Sequence, residues 1–413
     1  MSVNKSEKKV KNAGENTFGI RLKKLTGSKG FSALIGSLLA IAIGLIAGLI
    51  VMLISDPSSA FQGFAMVLTG GFSRFDEVLF FATPIMLTGL SVGFAYKMGL
   101  FNIGASGQYT MGLFFAIICA FKFQGLPSFL HCFICIIAGT LGGMLWGAIP
   151  GIFKAFLNVN EVITSIMFNY IGMYVVNTII MSQGDIYNSV TVRTRYIPEE
   201  IQLFKFGSAA SRLNIGIVVA VFMAIVLYIV LNKTTFGYEL RATGFNNNAA
   251  TYAGMNSKKN TILTMAIAGA LSGLGGALYI LSPSTISGSS MTYEPVNRIL
   301  NEGFNGIAVA LLGVSNPVGI VFSSTFVSFI QRGGSEAARF GFKPDTIDIV
   351  IAVTIYCSAF ATAVRLGLVR LVKHFRKNKA SDGEMLLTTG SAGGKEKDME
   401  NDNDSSGEEE DDI

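Results

Sequence analysis

The sequence predicts an all-α polytopic membrane protein, and three observations carry that prediction. Half of the 413 residues are apolar, only 14% are charged and the mean hydropathy is +0.51, which excludes an ordinary soluble enzyme with a water-facing surface. Several windows run with no internal charge for about 20 residues, enough to cross roughly 30 Å of hydrocarbon; 31–54 is the clearest. Between two such windows lies an organised polar loop, 236–260 (FGYELRATGFNNNAATYAGMNSKKN). It sets small residues (Ala242, Ala249, Ala250, Ala253, Gly254) beside an acid and a base (Glu239, Arg241), the composition of a short helix that docks into another protein's groove.

About ten spans are expected, near 31–54, 77–96, 108–126, 129–150, 160–182, 213–231, 261–281, 303–315, 317–331 and 346–368. The 47 glycines do not argue against helix here, because neighbouring helices satisfy the backbone in a bundle. With the N-terminus inside, most of the 32 Lys and Arg fall in cytoplasmic segments, so both termini are expected in the cytoplasm. The outer loop 183–212 carries Arg193, Arg195, Lys205 and Arg212, partly offset by Asp185, Glu199 and Glu200. The first apolar segment is longer than the region of about 7–15 residues that marks a cleavable signal, and reads as an anchor.

Three regions follow: a basic segment 1–30, a transmembrane body 31–371 with its polar loop at 232–260, and an acidic tail 372–413 ending EEEDD at 408–412. The basic run fits topology and attraction to anionic membrane lipid, not nucleic acid. The tail has the composition of a solvated, disordered segment.

Cys119, Cys132, Cys135 and Cys357 all lie in apolar stretches. Cys132 and Cys135 form a CxxC beside His131, but no second pair stands at a suitable spacing, so they read as small packing residues and no metal is expected. Small residues recur four apart at Gly44 and Gly48, at Gly89 and Gly93, at Gly139, Gly143, Gly147 and Gly151, and at Gly269, Gly273 and Ala277. That spacing puts them on one helix face, where two backbones can approach closely.

Two segments break the run of uniform apolar helix, GLFNIGASGQ (99–108) and NEGFNGIA (301–308). They share a similar pentad, Phe101-Asn102-Ile103-Gly104-Ala105 and Phe304-Asn305-Gly306-Ile307-Ala308. A transporter of two pseudo-repeat halves would place such segments on one central path; interfacial turns are the plainer alternative. Asn102, Ser106 and Gln108 in the first, and Glu302 and Asn305 in the second, offer polar groups suited to a neutral polar solute. In the fifth span Glu161, Ser165, Asn169, Gly172 and Val176 share one face. Glu161 is either a gate on the path or a local structural partner near the membrane boundary.

No HExxH, GxSxG or histidine pair is present, and the look-alike phosphate loop GSAGGKE (390–396) lacks the hydroxyl after Lys395. The chain is therefore not expected to be an enzyme or to hydrolyse ATP itself. Four stretches resemble the ABC-type permeases of ribose, branched-chain amino acids and nucleosides: FNIGASGQ (101–108), VNEVITSIMFNY (159–170), ELRATGFNNNAATYAGM (239–255) and GFNGIAVALLGVSNPVG (303–319). The likeness covers about 31–371, and the first two motifs are closest to the nucleoside-uptake branch. It implies a subunit of a binding-protein-dependent importer in the bacterial cell (inner) membrane that binds no cofactor. Its partners would be an ABC ATPase that hydrolyses ATP, a second permease (a paralogue or a copy) and an extracytoplasmic solute-binding lipoprotein. The polar loop would then hold the cytoplasmic coupling helix, with Gly237, Arg241, Ala242, Gly244, Asn246, Ala249, Ala250 and Gly254 matching the pattern and Glu239 beside them. The family commonly has an acid where Ser106 stands and an Asp where Asn305 stands. Nucleosides are the expected solute, a monosaccharide the alternative; an ion-driven secondary transporter would need clustered carboxylates within the spans, which hold very few.

Overall fold

The computed structural model describes residues 29–207, 211–286 and 288–359, and those from Leu34 onward belong to one compact unit. The basic run before residue 29 and the acidic tail lie outside the described residues. Thirteen helices are described: α1 (Lys29–Ser55), α2 (Ala60–Ser73), α3 (Phe75–Tyr96), α4 (Ala105–Lys122), α5 (Ser128–Leu157), α6 (Glu161–Ser182), α7 (Gly216–Lys233), α8 (Thr235–Phe245), α9 (Asn247–Tyr252), α10 (Ser257–Ile280), α11 (Asn301–Leu312), α12 (Pro317–Ala337) and α13 (Pro344–Ala359). A two-residue hairpin, β1 (Tyr187–Asn188) with β2 (Arg193–Thr194), decorates the loop after α6. The chain is thus a mostly helical membrane protein. Among the described residues α3, α5, α6, α7 and α10 are long and apolar enough to cross a membrane.

Burial sorts these helices into layers. The apolar windows of α3 and α10 are mostly buried, whereas α5 and α7 leave most of theirs exposed, as lipid-facing helices do. The α5–α10 pair is the most extensively packed in the molecule, and the small residues four apart explain it. A Cβ on Gly147 would lie 2.6 Å from the Met265 carbonyl, one on Gly273 2.6 Å from the Gly139 carbonyl, and one on Gly139 2.6 Å from the Ala277 Cβ. With no hydrophobic drive between helices in lipid, this close backbone approach is what holds the pair.

Helices occur at the expected apolar segments within the described residues, the last of which, 346–368, lies outside them beyond residue 359, and their bounds and neighbours differ from the expectation in three places. First, α2 occupies a stretch assigned to no span. At 14 residues it is too short to cross, and it seats its glycines on α12, with Gly70 against Gly333 and Gly71 against the Phe329 ring. Second, α12 continues past 331 to Ala337, because its polar end is satisfied by ion pairs that no local pattern reveals: Arg332 Nε lies 2.6 Å from Glu77 Oε2 on α3 and its NH2 group 2.7 Å from Glu336 Oε1. Third, 301–308 does not interrupt a helix; it is the first two turns of α11, and the non-helical stretch is the preceding connection from 281 to 300.

Candidate functional site

The turn between α3 and α4 is built by polar side chains. Gly99 adopts φ +76°, a left-handed conformation that sends the chain sharply back from α3. Asn102 donates through Nδ2 to Ser91 Oγ (3.0 Å) and Gln108 Oε1 (2.9 Å), while Gln108 Nε2 donates back to Asn102 Oδ1 (2.9 Å). Both amides are buried, so this reciprocal pair closes the turn as a structural device. Asn169 on α6 completes it: its Oδ1 accepts from the Gly107 N–H (2.8 Å) and its Nδ2 donates to the Ile103 carbonyl (3.0 Å).

The second polar segment meets this turn directly. Ser106 Oγ donates to the Leu300 carbonyl (3.0 Å) just before α11, and Thr88 Oγ1 on α3 donates to the Glu302 carbonyl (2.8 Å). A Cβ on Gly303 would lie 2.5 Å from the Ser106 Cα, and one on Gly306 2.7 Å from the Thr88 carbonyl carbon. Serine suits this contact because it can donate to a carbonyl, which an ionised carboxylate in its place could not. FNIGASGQ and NEGFNGIA therefore lie together, joined through α11. Glu302 and Asn305 are half-buried there beside the exposed Asn301, and Glu302 forms no ion pair among the described residues.

On α6 the expected stripe is the buried face: Ser165, Asn169, Gly172 and Val176 are covered. Glu161 stands apart from them, its carboxylate 3.0 Å from Lys154 Nζ across the α5–α6 connection, which fits the local-partner reading. Cys119 and Cys135 are buried in the apolar packing, and His131 Nε2 contacts the Cys119 carbonyl at 3.0 Å.

The polar loop folds into two short helices. Thr234 caps α8 by accepting from Gly237 N–H (3.1 Å), and Asn246 caps α9 by accepting from Ala249 N–H (3.0 Å). Glu239 turns inward toward Asn260 (3.4 Å), Gly237 packs on the end of α7, and Ala250 is buried. Arg241, Asn246 and Ala249 are exposed and with the half-buried Ala242 line a shallow groove of about 540 Å³. Gly244 is a packing residue as well, since a Cβ there would lie 2.5 Å from the backbone of Met98. Gly254 adopts φ +85° in open space, where only its backbone conformation calls for glycine. Lys97, beside this seat, has its pKa lowered by burial and secondarily by the Arg241 charge.

Sequence reasoning passed over two aromatic groups. Phe245 is 95% exposed and Tyr252 93%, both on the polar loop. Within the bundle, Phe80, Tyr109 and Tyr279 cluster near Glu302; a tyrosine in an aliphatic span is the only sequence signal for them.

A helical bundle that brings polar turns together between apolar helices and carries an exposed helix pair on a polar loop has the build of a membrane permease. The chain belongs to the branched-chain amino acid transport system / permease component family, whose pattern matches residues 74–359. It is 37% identical to the guanosine ABC transporter permease protein NupP of Bacillus subtilis, over 84% of this chain and 98% of that one. It is 34% identical to the nucleoside ABC transporter permease protein NupB of Lactococcus lactis, over 81% and 94%. A glucose ABC transporter permease protein, TsgB13 of Haloferax volcanii, is 29% identical over 80% and 88%. No solved structure matches the chain.

Proposed function

We propose that this chain is the membrane-spanning permease subunit of a binding-protein-dependent ABC importer that carries nucleosides by alternating access. The observation that carries the reading is the near-complete alignment with the guanosine permease, which takes in 84% of this chain and leaves few residues of that relative unmatched. The chain sits in the bacterial cell membrane with both termini in the cytoplasm, its ten apolar segments spanning as two pseudo-repeat halves and forming the path with a second permease, a copy or a paralogue. A solute-binding lipoprotein delivers the nucleoside from outside. This chain binds no cofactor; ATP is hydrolysed on a partner ATPase, and α8–α9 is the coupling element seated in that partner.

Support for the coupling role is the groove between α8 and α9, flanked by the exposed Phe245 and Tyr252. Exposed aromatic anchors beside a groove are what a protein interface needs, and truncating such an anchor costs about 2 kcal/mol or more. A monosaccharide is the second reading, favoured by the likeness to the glucose permease.

The test is uptake by proteoliposomes holding the permeases, ATPase and binding lipoprotein, with labelled guanosine, ribose and glucose. ATP-dependent guanosine entry is expected, and Phe245→Asp with Tyr252→Asp should abolish it while the chain still inserts. Guanosine entry on an ion gradient without the ATPase would overturn the reading.

A further inference from the structure

Among the described residues the hydroxyl of Tyr109 on α4 is fully buried and without any hydrogen-bond partner, as are those of Ser165 and Ser272, and it alone of the three sits on an aromatic ring. Its ring lies 6.3 Å from that of Tyr279 on α10, which stacks on Phe80 of α3 with centroids 6.1 Å apart and planes 26° from parallel. Glu302 at the start of α11 is near enough to both phenols for its charge to reach them, and Arg298 reaches the same carboxylate. Tyr279 and Glu302 keep part of their surface accessible, and Asn297, Arg298 and Asn301, just before Glu302 in the chain, are exposed.

An unpartnered buried hydroxyl costs free energy unless something supplies its partner in another state, and the Glu302 carboxylate, which Arg298 influences only from beyond ion-pair distance, is left able to accept from a donor. We infer that Phe80, Tyr279, Tyr109 and Glu302 form the solute-contact site of the permease, taking a planar heteroaromatic base linked to a sugar. The base lies on the open face of Tyr279, which Phe80 backs. Glu302 accepts from ring N–H groups or from the vicinal hydroxyls of the sugar, and Tyr109 Oη gains its missing partner from the solute. The aromatic face distinguishes this site from one built for a free sugar, whereas Asn102, Gln108 and Asn169 hold the turn beneath it.

The assignment rests on the nucleoside reading, and one series of measurements separates the two. The complete transporter in proteoliposomes is assayed for labelled guanosine entry per ATP hydrolysed, and for stimulation of hydrolysis by guanosine-loaded binding protein. Tyr279→Ala should lower entry per ATP about tenfold or more through the lost stacking, Tyr279→Phe should stay within about twofold, and stimulation should persist in both. Glu302→Gln, which keeps the shape but weakens each charge-assisted bond, should lower entry as well. Tyr109→Phe is the sharpest arm. A purely structural tyrosine with an orphan hydroxyl predicts equal or higher thermal stability and normal entry, whereas a contact residue predicts that stability together with entry reduced roughly two- to tenfold. Normal guanosine entry in Tyr279→Ala or in Tyr109→Phe overturns the site and leaves the nucleoside reading standing. Equal damage from Tyr279→Phe and Tyr279→Ala, or loss of ATPase stimulation along with entry, also overturns it. Wild-type entry of ribose without guanosine sinks the nucleoside reading and the site together.

Discussion

Gly147 on α5 offers the clearest test of how this bundle holds together. Its missing Cβ would lie 2.6 Å from the Met265 carbonyl oxygen and 2.8 Å from the Gly269 Cα, both backbone atoms of α10 that have no rotamer by which to retreat. Restoring ordinary contact requires the two helices to part by about 0.8 Å, a gap that already forfeits roughly a quarter to a half of each dispersion contact it opens. Gly147→Val must place a γ-methyl in the same space, which puts it at the upper end of the overpacking range, about 2–3 kcal/mol. The difference in helix propensity returns only about 0.4 kcal/mol. A loss of that size lowers the folded-to-unfolded ratio roughly 30- to 150-fold. The assay is the half-life of the monodisperse protein in detergent at fixed temperature, a kinetic measure that tolerates irreversible unfolding. Gly184→Val is the control: this exposed loop glycine has nothing within 4 Å of its Cβ position and should stay within about 0.5 kcal/mol of wild type. Equal half-lives for the two variants would refute the close-packed seam.

Glu77, 6% exposed, accepts from Arg74 and lies 2.6 Å from Arg332 Nε, so Glu77→Ala should cost about 1–3 kcal/mol by removing one of the two carboxylates that pair with the largely buried Arg332 while Glu336 stays in place; chemical denaturation checks it. Asn169→Leu strands the Gly107 N–H and the Ile103 carbonyl at about 1–3 kcal/mol each, and a thermal melt that matches wild type would show that the turn does not depend on them. Lys97 carries a pKa below the ordinary 10.5, so the unfolded chain binds the proton more tightly and this residue's contribution to stability rises with pH as that value is approached from below. Lys97→Met should remove that rise. Arg241→Gln should shrink it only in part, since burial is the larger cause; melts across that alkaline window measure both.

What the sequence reveals depends on the range of the interaction that decides it. The α5–α10 seam is legible because Gly139, Gly143, Gly147 and Gly151 share a helix face by spacing alone, and their partners Gly269, Gly273 and Ala277 repeat the signal. The buried stripe of α6 is legible for the same reason. By contrast α2 and the end of α12 escape notice: α2 is too short for a spanning window, and Gln331, Arg332 and Glu336 look like the end of a helix until Glu77 is seen across from them. The amides of Asn102 and Gln108 are recognisable as functional polar residues, yet their mutual pairing rests on side-chain geometry that residue type does not encode. Tyr109 and Tyr279 draw no attention because 44 Phe and Tyr in one apolar chain make any single ring unremarkable until rings converge.

The contact between Gly244 and Met98 changes how energy from the partner ATPase enters the proposed importer. The α8 backbone rests on the α3–α4 turn so closely that Gly244 lies at the seat itself, and a bulky residue there disturbs the turn whether or not a partner docks. Phe245 and Tyr252, fully outward, report on docking alone. From the seat a continuous line of contacts runs inward: Thr264 Oγ1 donates to the Met98 sulfur (3.1 Å), the reciprocal amides fix the turn, and Ser106 grips the Leu300 carbonyl at the start of α11. Displacing α8 therefore strains the element that carries Glu302. Spatial continuity of this kind is a warrant for coupling only if the turn has two discrete arrangements. The reciprocal pair of Asn102 and Gln108 is the place to look for them, since opening it would release both amides at once.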